Sequence, residues 1–297
     1  MAQITFPSEL VQISKKYFDL SNKPGTLVNL TYSTYESFSY QDKTKTLQKR
    51  AVVYLPYNYD ENEKYNVVYL MHGGWSNETT YLGTPDRPHP FKNVLDHAIA
   101  DKKMTPMIVV CPTYNNLSEK DSSDYNLAIE LTNNYHHELV NDLMPAVAET
   151  FHTYSKDGSK ASLKDSRDHR AFIGLSMGSV ATWRTFQYCL DYFRCFMPSS
   201  GSITNNGELL AEMVRRQNHT WQDFFIFGAS GTDDFAFASF TNQIMAMKDE
   251  KSGIFKYANN SEDGNLYYLI QEGNGHNLEA AIQYFYNGMI QLWRNKR

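Results

Sequence analysis

The chain is 297 residues long, with 28 Lys and Arg against 33 Asp and Glu and a formal net charge of −5. That mild acidity offers no basic footprint for nucleic acid, no apolar run reaches the roughly 18 residues a membrane helix needs, and three cysteines cannot build a disulfide framework. No Pro/Gly/Ser-rich linker, repeat or charge block interrupts the sequence, so residues 1–297 read as one domain, of a size that buries a substantial core.

From the N-terminus, "MAQITFPSELVQISKK" lacks the apolar h-region of a secretory signal peptide. Residues Thr26–Ser33 and Leu47–Pro56 read as paired strands, and the continuously apolar "NVVYLM" (Asn66–Met71) as a central parallel strand. "FKNVLDHAIAD" is helical, "PMIVVCP" a strand with Cys111 buried in it, and "NLAIELTNNYHHELVNDLMPAVAETF" one long amphipathic helix. The strand ending at Leu175 and the helix from Val180 follow, then "RCFMPSS" (strand), "GELLAEMVRRQ" (helix) and "DFFIFGAS" (strand). "FASFTNQIMAMKDE" (helix), "NLYYLIQEG" (strand) and "NLEAAIQYFYNGMIQLWRNK" (helix) complete the series. Strands alternating with helices imply a mostly parallel central sheet with right-handed crossovers and helices on both faces. Ligands then bind outside the carboxyl ends of the strands. Five N-x-S/T sequons (Asn29, Asn77, Asn116, Asn218, Asn259) are only a slight excess over chance.

The chemistry is expected to centre on "AFIGLSMGSVATWRTF" (Ala171–Phe186). Between strand and helix the chain turns at Ser176, with Gly174 and Gly178 leaving room for the turn. This is the G-x-S-x-G nucleophile elbow of the α/β-hydrolase fold. A serine needs a base, and the base an acid that fixes its tautomer, in the chain order Ser, Asp or Glu, His. Only His219 and His276 follow Ser176. His219 lies in polar "RRQNHTWQD" ahead of a strand, whereas His276 follows the strand "NLYYLI" in "QEGNGHNLEA", so His276 is the base. The acid falls in "FFIFGASGTDDFAF", where the residues themselves leave Asp233 and Asp234 open.

An oxyanion hole needs backbone N–H groups. Met177, after the nucleophile, supplies one, and the loop "YLMHGGWSNE" supplies another from Gly74, or less well Trp75, with His72 read as structural. Of the 21 Tyr, 17 Phe and 4 Trp, most belong to the core. Trp75, Tyr81 and Tyr114 lie on strand-end loops and are candidates for ring contacts, with Asn115 beside them for a substrate hydroxyl. The segment Trp75–Asn93 exceeds the usual two to six residues of such a connection, and is expected to form a flap in which Trp75, Tyr81, Leu82 and Phe91 touch a ligand. "HHELVN" lacks the second histidine of a zinc-protease helix, Asn141 standing in its place. No metal or organic cofactor is implied.

Taken in order, "VVYLPYNYDENEKYNVVYLMHGG", "LDHAIADKKMTPMIVVCPTYNN", "FIGLSMGSVATW", "LDYFRCFMPSSG" and "GTDDFAFASFTNQIMAMK" resemble feruloyl esterases of the first carbohydrate-esterase family, within the esterase D-like α/β-hydrolases. The resemblance runs from about Leu47 to the C-terminus. It implies Ser176, Asp234 and His276 as the triad, the second residue of the acidic pair being the acid. It also implies a secreted, monomeric enzyme acting on ferulate or p-coumarate esters of arabinoxylan. Ser179 stands where many relatives have a further glycine. The same scaffold serves acetyl xylan esterases and S-formylglutathione hydrolase-like thioesterases. A carbohydrate-binding module that had lost activity would have no reason to keep all three triad groups.

Overall fold

The structure, a computed structural model, describes residues 4–38 and 40–294. In chain order the elements are β1 (Thr26–Tyr35), β2 (Thr46–Leu55), β3 (Asn66–Met71), a two-stranded hairpin of β4 (Gly83–Thr84) and β5 (Arg87–Pro88), α1 (Pro90–Ala100) and β6 (Met107–Cys111). Next come α2 (Tyr125–Glu138), α3 (Met144–Thr150), α4 (Lys160–Asp165), β7 (Arg170–Leu175), α5 (Met177–Tyr188) and β8 (Cys195–Ser199). The chain continues through α6 (Gly207–Arg216), β9 (Phe225–Gly231), α7 (Phe237–Asp249), β10 (Leu266–Gln271) and α8 (Leu278–Met289).

Among the described residues eight strands form the main sheet, in the order β1-β2-β6-β3-β7-β8-β9-β10. β1–β2 and β2–β6 are antiparallel, and every other pairing is parallel. This is the expected α/β-hydrolase architecture. Burial explains the order. β3 (NVVYLM) and β7 (RAFIGL) are buried at every position and lie in the middle, while β1 alternates along its length and sits at the edge.

Successive residues of a strand point to opposite faces, and here each face has its own core. Val67, Tyr69 and Met71 join Leu131, Trp183, Phe186, Leu210, Phe240 and Ile244 from α2, α5, α6 and α7. Val68 and Leu70 join Val94, Leu95, Tyr284 and Phe285 from α1 and α8.

The long helix expected from Asn126 to Phe151 forms with one interruption. A π-helical turn, Leu139–Leu143, separates α2 from α3. Pro145 has no N–H for the carbonyl of Asn141 and its ring crowds that carbonyl, so the ladder widens just upstream. The expected flap is partly folded inward. Tyr81, Leu82 and Phe91 are buried in the core beneath α1 and α8, so these three do not reach a ligand. Cys111, Cys189 and Cys195 are all free and buried.

Candidate active site

β7 delivers Ser176 to the carboxyl edge of the sheet, and the backbone there is strained, with φ 61° and ψ −122°. For a non-glycine residue this conformation costs on the order of 1–3 kcal/mol. Two close approaches hold it. A Cβ on Gly174 would lie 2.5 Å from the backbone of Gly178, and one on Gly178 would lie 2.3 Å from the carbonyl oxygen of Met71. The Ser176 N–H donates to the Ser199 carbonyl (2.9 Å), and the Ser176 carbonyl accepts from Val180 N–H (3.0 Å). The turn is therefore tied to β8 on one side and α5 on the other.

His276 lies between β10 and α8. Its Nδ1–H donates to Asp234 Oδ1 at 2.8 Å and Oδ2 at 2.9 Å. The Asp234 side chain is fully buried, and Oδ1 also accepts the Ala236 N–H at 2.7 Å. Burial pushes its carboxyl upward, but hydrogen bonds from His276, the Ala236 amide and Ser200 outweigh that and hold it below the usual value of 3.8. Asp233 is exposed and accepts from the neighbouring Thr232 hydroxyl (3.1 Å). Of the acidic pair, the geometry brings Asp234 to the imidazole.

The glycine-rich base loop is well tied. Thr232 N–H donates to the Gln271 carbonyl (3.1 Å), Asp233 N–H to the Asn274 carbonyl (3.1 Å), and Gly273 N–H to Thr232 Oγ1 (2.8 Å). Among the described residues Ser176 Oγ makes no hydrogen bond; such bonds are often long without substrate.

The loop expected to carry the oxyanion donor follows β3 and lies against Ser176. A Cβ on Gly73 would be 3.4 Å from Ser176 Cβ and 4.0 Å from its Oγ. Trp75 N–H is already committed to the Ser122 carbonyl at 3.0 Å, which favours Gly74 over Trp75 as the candidate oxyanion amide. Met177 N–H opens α5 and has no acceptor within the helix. Burial holds the His72 imidazole down to about 3, neutral at any working pH.

The four expected ligand contacts separate. Trp75 is 76% exposed, with φ 54°. Tyr81 is buried edge-on to Phe285 (5.1 Å). Tyr114 is buried against His72, with its hydroxyl on the Gly73 carbonyl. Asn115 is buried too: its amide donates to the carbonyls of Ser76 (3.1 Å) and Glu119 (3.0 Å), and its Oδ1 accepts from Ser122 N–H (3.0 Å). Tyr81, Tyr114 and Asn115 thus brace the site from behind. A strand-end position does not say which way a side chain turns, and these carry polar atoms that a buried loop must satisfy.

Sequence reasoning missed Phe235, 81% exposed with its ring 4.2 Å from that of His276. Its adjacency to Asp234 was the available signal. In "HHELVN" the rings of His136 and His137 pack on each other at 3.9 Å, and among the described residues no group of three or more metal-ligating side chains gathers.

The family model "Putative esterase" matches residues 46–224, more than half of the chain. A serine-to-alanine variant of the feruloyl esterase module from Clostridium thermocellum, complexed with sinapinate, is 30% identical, with 99% of this chain and 96% of that one covered and a TM-score of 0.83. A CE1 ferulic acid esterase from Anaeromyces mucronatus, 17% identical, shares the fold with TM-score 0.65 over 97% of each chain. Endo-1,4-beta-xylanase Y of Acetivibrio thermocellus is 34% identical over 92% of this chain. The chain spans 24% of that protein's length, and 20% of an endo-1,4-beta-xylanase/feruloyl esterase of Xylanibacter ruminicola that is 28% identical over 52% of this chain. With the elbow at the sheet edge and a full-length match to a feruloyl esterase module, the chain belongs to the esterase family, among the feruloyl esterases of the first carbohydrate-esterase family.

Proposed function

We propose that the chain releases ferulate or p-coumarate from esters on plant cell-wall arabinoxylan, outside the cell and through an acyl-enzyme on Ser176. The observation that carries this reading is the buried Asp234 carboxylate bonded to His276 on the same sheet edge as the strained serine. Ser176 Oγ attacks the ester carbonyl as His276 Nε2 takes its proton, and Asp234 holds the imidazole by Nδ1 and stabilises the imidazolium. The Gly74 and Met177 amides receive the oxyanion. His276 then gives its proton to the departing sugar oxygen. Water repeats the sequence, His276 taking its proton, the acyl–Oγ bond breaking and the proton returning to Oγ.

Two exposed rings flank this machinery: Phe235 against His276, and Trp75 next to Gly74. They suit a planar hydroxycinnamate better than an acetyl group. The test compares kcat/KM on feruloylated arabino-oligosaccharides, methyl ferulate and acetyl xylan. The expected order is the order given, since binding of the remote sugar helps to orient the ester. A tenfold preference for acetyl xylan would make the chain an acetyl esterase instead.

A further inference from the structure

Behind the oxyanion loop, one carbonyl collects two donors. The Gly73 carbonyl accepts the His72 ring Nδ1–H at 2.7 Å and the Tyr114 hydroxyl at 2.9 Å. That carbonyl belongs to the same planar, trans peptide unit as the Gly74 N–H, so the two point in opposite directions. Fixing the carbonyl fixes the amide.

Glycine on both sides makes this peptide the easiest in the loop to rotate, so something must hold it. The holding groups are themselves held. The His72 and Tyr114 rings stack at 4.5 Å. The His72 Nε2 faces Thr113 Oγ1 at 2.7 Å; with Nδ1 donating forward, Nε2 is the acceptor and the threonine hydroxyl the donor. The Thr113 carbonyl in turn accepts from Lys49 Nζ (2.8 Å), whose ammonium also contacts Glu138 Oε2 (2.8 Å). All five side chains are buried. A neutral His72 is what the arrangement needs, because a protonated ring would turn a second N–H on Thr113 and disturb the tautomer.

Resting on the proposed esterase reading, we infer that His72 and Tyr114 are positioning residues which clamp the Gly73 carbonyl and so aim the Gly74 N–H at the developing oxyanion. Two bonds on the carbonyl also polarise the peptide and strengthen its N–H as a donor. Neither side chain touches substrate.

Tyr114→Phe removes only the hydroxyl and keeps the ring. Losing a whole oxyanion donor costs about 10²–10³ in kcat, so loosening one should lower kcat roughly tenfold. The loss should be equal on methyl ferulate and p-nitrophenyl acetate, with KM changed less than about twofold, because both esters share the oxyanion and not the acyl group. His72→Leu should lose at least as much. His72→Asn, whose amide nitrogen can stand where Nδ1 stands, should recover most of it. Affinity for phenylboronic acid, a tetrahedral mimic, should fall in step with kcat, and affinity for ferulate should not.

Unchanged kcat in Tyr114→Phe, with His72→Asn no better than His72→Leu, would overturn the clamp. So would a loss confined to methyl ferulate and carried by KM, which would make Tyr114 a substrate contact. Ser176→Ala in the same series separates the two readings: an active Ser176→Ala protein sinks the proposed catalysis at Ser176, whereas an inactive one beside a fully active Tyr114→Phe sinks only the clamp.

Discussion

The site has two halves built on different principles. The proposed nucleophile, base and acid (Ser176, His276 and Asp234), after β7, β10 and β9, are side chains whose chemistry is their identity. The proposed oxyanion half, after β3, would work through backbone amides, and the buried side chains behind it, His72 and Tyr114, hold a peptide plane. In the first half Asp234, itself buried, bonds directly to His276. In the second, order comes through a relay of buried polar groups, from Glu138 and Lys49 through Thr113 and His72 to Gly73. The consequence is an asymmetry in how each half fails. Substitution in the first should abolish chemistry and spare the fold, whereas substitution deep in the second should reach stability as well as rate.

The largest effect belongs to the first half. Asp234→Asn should lower kcat by about three to four orders of magnitude, as loss of a triad acid does elsewhere, while Asp233→Asn stays near wild type. The opposite ranking would move the acid by one residue. The same variant carries a pH signature. Asp234 has a folded-state pKa depressed below 3.8, so its contribution to stability is complete above that value and disappears as pH falls through the lower, folded one. Melting temperatures measured below about pH 4 should therefore fall less steeply in Asp234→Asn than in the wild type.

A smaller effect, and one of stability, sharpens the contrast. Lys49 and Glu138 are 5% and 1% exposed and 2.8 Å apart. Burial pushes the Glu138 carboxyl upward, against Lys49 and the Tyr32 hydroxyl that hold it down. Lys49→Met leaves that carboxylate without its ion partner, and should cost about 3–5 kcal/mol in denaturant unfolding. Lys49→Met/Glu138→Leu, removing both charges, should cost clearly less. An exposed pair such as Arg216–Glu212 would change by under about 1 kcal/mol, and a Lys49→Met loss that small would contradict the relay as a structural unit.

The same division governs what could be read from residues alone. Short apolar runs between helical stretches were enough for the order of strands and helices, because burial on both faces leaves no alternation to misread. Ser176 and His276 were legible because each stands at a strand end in a glycine-bearing turn. The choice between Asp233 and Asp234 was not settled by local chemistry. It depends on a contact between the loops after β9 and β10, far apart in sequence, which turns Asp234 inward and leaves Asp233 in solvent. Tyr114 and Asn115 were placed at the right edge and given the wrong direction, since the groups they satisfy, Gly73, Ser76 and Ser122, come from other loops. Phe235 lies just ahead of the helix expected from Phe237, and only the fold shows its ring against His276.

The central claim is covalent catalysis at Ser176, and a rapid-quench reaction with p-nitrophenyl ferulate tests it most directly. Release of p-nitrophenol should begin with a burst of one equivalent per chain, and the quenched protein should carry one feruloyl group, mapped by peptide mass to Ser176. Full turnover with no burst and no adduct, or an adduct that persists on another residue in Ser176→Ala, would contradict the account.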